Sequence, residues 1–245
     1  MRNLAAIPLL YLPLLALADC KDQLQTWAHA LHPMLVLDTE HAVCKTNPAE
    51  PQQVLAALTF TNAPPDEYGE GEYDLEVLVA DAASGAIIAH HYQSAAISSD
   101  AIQFEELSLD TARYQIAPQS RAFGLRVRYK GSSRVNSYNA TSLNLYTLEG
   151  PVLRQVMDKL QVEESGGEWD GNCAGDFYQN QRTLAIGGTG NRGFAKLNID
   201  EKNTGTHNVP KGDDCQYGRG KATTAKYVVD YDGSQYNVPQ GLVLQ

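Results

Sequence analysis

The stretch Phe-Gly-Leu-Arg-Val-Arg-Tyr at residues 123–129 decides the fold class. Its apolar residues stand at every second position, with Gly124, Arg126 and Arg128 between them. Successive side chains of a β-strand point to opposite faces of the sheet. The alternation therefore predicts a strand that packs on a core with one face and meets solvent with the other.

The same period of two recurs along most of the chain, in segments bounded by Gly, Pro, Asn, Asp or Ser. Short segments of this kind at regular intervals are typical of all-β proteins. We therefore predict an all-β fold of short strands, arranged as a sandwich or as propeller-like sheets. The predicted strands span residues 34–37, 54–61, 75–80, 86–92, 101–107, 114–116, 123–129, 142–148, 159–163, 182–186, 194–199, 225–231 and 236–238.

Three segments depart from this pattern. Residues 19–31 carry an apolar stripe at spacings of three and four, which predicts a small amino-terminal helix that ends before Pro33. Residues 151–160 show a similar stripe, and we predict a short helix or an irregular connector there, although a strand pair would also fit. Residues 204–224 are polar and poor in apolar side chains, which predicts a long polar connection.

The ambiguous segment suggests a domain boundary near Gly150 and Pro151. The predicted units are residues 19–150, a helix with a β domain, and residues 151–245, a carboxy-terminal β segment. The two units can also pack together as one.

The first 18 residues have the three-part layout of a secretory signal peptide, and we assign residues 1–18 to it. Met1-Arg2-Asn3 gives a charged start, an almost wholly apolar run follows, and Ala16-Leu17-Ala18 offers a cleavage site. The apolar run is shorter than the about 20 residues that a membrane anchor needs. A lipoprotein signal would need a small residue at Asp19, before Cys20. We predict a mature chain that starts near Asp19, has no transmembrane segment, and is periplasmic or secreted.

Four cysteines remain after this cleavage, and an even number in an exported chain indicates disulfides. They form one group near each end of the chain, and we predict the pairs Cys20–Cys44 and Cys173–Cys215. Each bond closes a loop of tens of residues, which is worth roughly 3–4 kcal/mol in the chain-entropy treatment. A zinc site is the alternative, but the paired C-x-x-C spacing of such sites is absent.

The chain is acidic, with 29 Asp and Glu against 19 Lys and Arg and a formal net charge of −10. Nucleic acids and anionic lipids are bound by clusters of Lys and Arg, so this charge argues against both as partners. It permits a basic partner or a cation, without indicating either.

The sequence carries no catalytic or cofactor motif. The glycine-rich residues 187–193 lack the phosphate-binding pattern and a following helix, and we interpret them as a turn between strands. No G-x-S-x-G motif is present. The pairs Glu105-Glu106 and Glu163-Glu164 would point to opposite faces of a strand, and we interpret them as solvated. We therefore predict no catalytic and no cofactor-binding residue.

Metal ligation is also not predicted from the spacing of its usual ligands. His90 and His91 are adjacent, so on a strand they face apart, while His29 and His32 lie one helical turn apart. The acidic turns at 170–172 and 230–232 lack the full calcium-binding loop pattern. We interpret these residues as ordinary surface groups and predict no cofactor and no metal ion.

Six further segments share a recognisable pattern: Gly167-Glu-Trp-Asp-Gly-Asn-Cys173, Arg182-Thr-Leu184, Gly193-Phe-Ala-Lys-Leu197, Tyr231-Asp-Gly-Ser-Gln-Tyr236, Arg121-Ala-Phe-Gly124 and Gly131-Ser-Ser-Arg134. Through them the carboxy-terminal third resembles a group of uncharacterised exported bacterial proteins. The similar spacing continues upstream, and the match covers about half of the chain. The resemblance implies a β-rich periplasmic protein and no known activity.

These observations favour a non-enzymatic binding protein whose partner is an unknown protein or envelope component. One alternative is an inhibitor of a host or competitor hydrolase, which would present a rigid loop braced by Cys173–Cys215. The second alternative is a secreted hydrolase whose acidic groups converge from distant positions. A deep acidic pocket would favour the hydrolase, a protruding braced loop the inhibitor, and a broad flat face the binding protein.

Overall fold

The computed structural model describes residues 20–61 and 71–244. These residues are predominantly strand, which confirms the all-β class with one small helix, but the strands reach 18 residues and are longer than predicted. The helix and strands are α1 (Leu24–Leu31), β1 (Val36–Thr46), β2 (Gln53–Thr61), β3 (Gly71–Asp81), β4 (Ile87–Ser99), β5 (Ile102–Ala117), β6 (Ser120–Gly131), β7 (Asn136–Glu149), β8 (Val152–Trp169), β9 (Gly175–Thr189), β10 (Ala195–Lys211), β11 (Asp214–Arg219) and β12 (Thr223–Val229).

The strands form two antiparallel sheets. The first sheet has the order β1-β2-β3-β4, and the second has the order β11-β10-β9-β8-β7-β6-β5. β12 also pairs with β10, so β11 and β12 lie one after the other along the same edge of that strand. Neighbours in sequence are mostly neighbours in space, as short hairpin connections require.

The first sheet packs face to face against β5–β8, as in a β-sandwich. Leu55 and Val77 from the first sheet share one core with Leu125 and Tyr146 from the second, and these four side chains are at most 1% exposed. The segment 123–129 supplies alternating apolar residues to this core, as its pattern predicts, but its other face is only partly in solvent, because Gly124 there is buried.

Helix α1 covers the other face of the first sheet. Trp27 is 2% exposed, packs in a core with Phe60 and Leu78, and donates its indole N–H to the carbonyl oxygen of Gly85 at 2.7 Å. β2 and β3 are therefore buried on both faces, which explains why residues 54–61 form an almost continuous apolar run instead of an alternating one.

The outer face of β5–β8 supports a third core. Leu143 and Leu160 pack there with Ile199 of β10 and with Tyr236 from the carboxy-terminal segment. Burying apolar surface on both faces of β5–β8 makes these strands the middle layer of the molecule. We use the name sandwich for the part of the molecule whose residues form these three cores.

The structure corrects the prediction for residues 151–160, which form the first part of β8 and pair with β7 across Gly150 and Pro151. The helical spacing of their apolar residues arises from irregular pairing. The β7–β8 register shifts three times, and Lys159 adopts a φ of +50°. Each bulge adds a residue between inward-facing positions, so a strand here carries spacings of three.

Residues 204–224 are also not a simple connection. They form the end of β10, all of β11 and the beginning of β12. The pairs Cys20–Cys44 and Cys173–Cys215 are both bonded as predicted. The predicted signal peptide and the cleavage site before Asp19 lie outside the described residues. Within those residues, no helix is both long and apolar enough to cross a membrane.

Candidate interaction surface

The second sheet continues beyond the sandwich as an extension of β8, β9, β10 and β11, and residues 136–141 of β7 pair along its β8 side. We call this extension the arm, and it comprises residues 163–181 and 203–219, from β8, β9, β10 and β11. None of these residues belongs to any of the three cores. Most of them are exposed or half-buried on both faces of the sheet, and only Gly166, Gly167, Cys173 and Asn208 are buried.

Two glycines allow aromatic rings to lie directly on the backbone of the arm. A Cβ atom added to Gly167 would lie 2.4 Å from Cδ1 of Phe177, and one added to Gly166 would lie 2.8 Å from the hydroxyl of Tyr178. The two rings come from β9 and cover opposite faces of β8. Cross-strand aromatic residues stabilise glycine-containing strands in this way.

A disulfide joins the tips of the two hairpins that form the arm. Cys173 lies in the loop between β8 and β9, and Cys215 lies on the edge strand β11. The bond spans 42 residues of sequence, for which the chain-entropy treatment gives about 4 kcal/mol. The bond compensates in part for the apolar packing that this part of the sheet lacks.

One face of the arm carries an open groove of about 320 Å³. The register places Ser165, Gln179 and Thr204 in one row across the strands and Gly167, Phe177 and Thr206 in the next. All residues that line the groove are uncharged. They are Ser137, Ser165, Gly166, Phe177, Tyr178, Gln179, Thr204, Gly205 and Thr206.

A buried ion pair marks the junction between the arm and the sandwich. Arg182 donates from Nε to Oε2 of Glu201 at 2.6 Å and from Nη1 to the backbone and side-chain oxygens of Gln161 at 2.9 Å. Both charged side chains are less than 10% exposed. Direct hydrogen bonds of this kind compensate for the loss of water around a buried charge.

Two of the histidines share one carboxylate partner. His32 and His90 both contact Glu76, which is fully buried, at 2.7 Å and 3.2 Å. His91 faces away from His90 and lies 5.8 Å from the ring of Tyr146. The contact between His32 and Glu76 attaches the end of α1 to the first sheet. Sequence spacing could not show it, because the two residues are 44 positions apart.

His41 forms a carboxylate–imidazole pair with Asp38 at 2.5 Å. The hydrogen bond that His41 donates to Asp38 raises the pKa of His41 above its usual 6.5. Burial opposes ionisation of Asp38, but hydrogen bonds from His41 and from the backbone N–H of Glu40 outweigh it and lower the pKa of that carboxyl. His41 borders a cavity of about 470 Å³ that Glu105 also lines.

One carboxylate of each glutamate pair singled out in the sequence is engaged with a nearby group, and so are two carboxylates of the acidic turns. Glu105 pairs with Arg128 at 2.9 Å, and Glu164 accepts a hydrogen bond from Asn180 at 3.0 Å. Asp170 accepts the backbone N–H groups of the next turn, which lowers its pKa. Asp232 likewise accepts backbone N–H groups of the turn that follows it, and this lowers its pKa. Within the described part of the chain, no three His, Cys, Asp or Glu side chains form a group that could hold a metal ion.

A cavity of about 460 Å³ opens at one end of the sandwich, between the two sheets. Several of its polar groups are already bonded to each other or to nearby backbone. Gln115 donates to the carbonyl of Ala117, Arg121 donates to the carbonyl of Thr111, and Asn47 donates to Gln53. The groove on the arm differs in this respect, because the side chains of Ser165, Gln179 and Thr206 make no hydrogen bonds to other described residues.

No family model, no curated protein and no solved structure matches the chain. The resemblance to exported bacterial proteins therefore stays a prediction.

Proposed function

We propose that this protein is an exported, non-enzymatic binding protein and that the arm is its binding element. The observation that carries the proposal is a four-stranded sheet, braced by a disulfide, that contributes to none of the cores. Ordering a surface of this kind costs conformational entropy, and little apolar area is buried to offset that cost. Such a surface is best explained by a partner that covers it.

The exposed residues of the arm support this proposal. Tyr217 is 73% exposed and Tyr178 is 40% exposed. Tyr side chains offer a flat apolar area with a polar tip and lose little conformational entropy on binding, so they are enriched at interfaces. The disulfide holds these side chains in place before the partner arrives, which reduces the cost of ordering them.

The inhibitor is the second candidate, because the turn between β10 and β11 is exposed and lies beside Cys215. The hydrolase has weaker support. Asp38 and His41 resemble the orienting carboxylate and base of an acid–base site beside a cavity. Among the described residues that line that cavity, only Thr39 carries a hydroxyl group, and Cys44 is bonded to Cys20.

The two disulfides allow a matched test of the proposed function. Purified protein is mixed with the cell-envelope fraction of the producing organism, and its retention on sedimentation is compared between two double variants. Replacing Cys173 and Cys215 with Ser should weaken retention about tenfold, the effect of losing about 1.4 kcal/mol of preorganisation. Replacing Cys20 and Cys44 with Ser, which affects the attachment of α1, should leave retention unchanged.

Circular dichroism and thermal melting show that both variants remain folded under the assay conditions. Equal retention of all three proteins would contradict the proposal. Inhibition of a purified secreted hydrolase by the native protein, lost in the Cys173 and Cys215 variant, would favour the inhibitor instead.

A further inference from the structure

We propose that the groove on the arm binds a neutral oligosaccharide. This inference rests on the proposed function, because it names the class of ligand for the same surface. It is carried by the chemistry of the lining residues, by their freedom to make hydrogen bonds, and by the position of the groove on a face of the sheet.

The lining residues match a ligand rich in hydroxyl groups. Ser165, Thr204 and Thr206 present hydroxyls, and Gln179 presents an amide, so each can both donate and accept a hydrogen bond. The hydroxyl of Thr204 makes one long contact of 3.4 Å to a backbone carbonyl, and the side chains of the other three make no hydrogen bonds to described residues. Their hydrogen-bonding capacity is thus available to a ligand.

Phe177 supplies the apolar part of the site. Its ring lies against Gly167, which has no side chain to push it outward, and the half-buried ring also lines the groove. A few placed polar groups around an aromatic surface are the usual composition of small-ligand sites, and about 320 Å³ is at the lower end of their volumes. The C–H faces of a sugar ring suit such an aromatic surface.

Charge separates a neutral ligand from an acidic one. The groove has no charged lining residue, while the arm as a whole carries seven acidic residues against two Lys or Arg. An anionic polysaccharide would be repelled by the surrounding carboxylates and would find no cation in the groove. A neutral saccharide meets neither obstacle.

The position of the groove disfavours a peptide. The groove lies on a face of the sheet, where the backbone N–H and C=O groups of β8, β9 and β10 are already paired with neighbouring strands. An extended peptide binds best at a free strand edge, where backbone hydrogen bonds provide affinity. Here it would meet only short side chains.

Calorimetric titration of the full chain tests the inference. The neutral probes are cellotetraose, maltotetraose and the tetramer of N-acetylglucosamine, and tetragalacturonate and a Ser-Gly octapeptide serve as charged and peptide probes. At least one neutral saccharide should bind, and the other two probes should not. Gln179→Ala should weaken that binding about two- to twelvefold, the effect of losing one hydrogen bond.

Gln181→Ala is the matched control, since Gln181 lies two residues along the same face of β9 and outside the groove. It should change the affinity less than twofold. Phe177→Leu keeps an apolar group on Gly167, removes the ring, and should abolish measurable binding. Absence of binding by all three neutral saccharides, equal effects of Gln179→Ala and Gln181→Ala, or binding of the peptide in their place would overturn the inference.

The two proposals fail separately. If envelope retention depends on the Cys173–Cys215 bond and no neutral saccharide binds, the proposed function stands and the oligosaccharide inference falls. If retention does not depend on that bond, the arm is not the binding element.

Discussion

The sandwich and the arm belong to the same sheet, but they are stabilised in different ways. Strands β5–β8 of the sandwich bury apolar side chains on both faces, as Leu125 and Leu143 illustrate. The arm continues β8 without a break and buries almost no side chain. Its order depends on backbone pairing, on rings placed over two glycines and on one disulfide.

The difference separates residues needed for folding from residues available for binding. Apolar burial contributes about 25 cal/mol per Å² and dominates the stability of the sandwich. The arm lacks most of that contribution, because its side chains remain in contact with solvent. A substitution should therefore have a large effect on stability in the sandwich and a small one in the arm.

The strongest test compares two aromatic residues. Phe60 is fully buried between α1 and the first sheet, and Tyr217 is 73% exposed on the arm. Phe60→Ala should reduce the free energy of unfolding by about 3–5 kcal/mol, because it leaves a cavity. Tyr217→Ala should change it by less than about 0.5 kcal/mol. Urea denaturation followed by circular dichroism measures both, and similar effects would remove the distinction between the two regions.

The fold class was predictable because most strands alternate. Residues 123–129 carry an alternation that predicts a strand with one face on a core, and the grouping of the four cysteines near the two ends of the chain favoured the pairing that the structure has. The prediction was wrong where the backbone is irregular. At residues 151–160, bulges shift the inward-facing positions, and periodicity cannot distinguish the result from a helix.

The arm could not be recognised from the sequence for a related physical reason. Periodicity identifies a strand by the side that it buries in a core, and residues 163–181 and 203–219 belong to none of the three cores. Polar strands of this kind look like loops in a sequence. The adjacent glycines Gly166 and Gly167, followed after a turn by Phe177 and Tyr178, were the available signal, but only the register brings them together.

The ion pair at the junction provides a second test of the comparison. Arg182→Met leaves the carboxylate of Glu201 buried without its partner and should cost about 3 kcal/mol, while the double change Arg182→Met with Glu201→Leu should recover most of that loss. Lys226→Met is the control, since Lys226 pairs with Asp200 on the exposed side of β10. It should cost less than about 1 kcal/mol. A double variant no more stable than the single one would show that the pair has no apolar substitute.

The smallest expected effect depends on pH and compares one histidine–carboxylate pair in each region. Asp38–His41 is largely buried in the sandwich, with side chains 17% and 15% exposed, whereas Asp176–His207 on the arm is 79% and 64% exposed. The pKa of His41 is raised in the folded protein, so the stability from its pair is fully present below about pH 6.5 and is lost as pH rises through the folded pKa.

The lowered pKa of Asp38 sets the other limit, because its contribution is lost as pH falls below about 3.8. His41→Asn should therefore reduce the free energy of unfolding by about 1 kcal/mol near pH 5.5 and by much less near pH 8.5. His207→Asn should have little effect at either pH, since solvent and salt screen an exposed pair. Urea denaturation at the two pH values measures this. An equal pH dependence for both variants would mean that burial does not distinguish the two pairs. It would also contradict the difference between the sandwich and the arm.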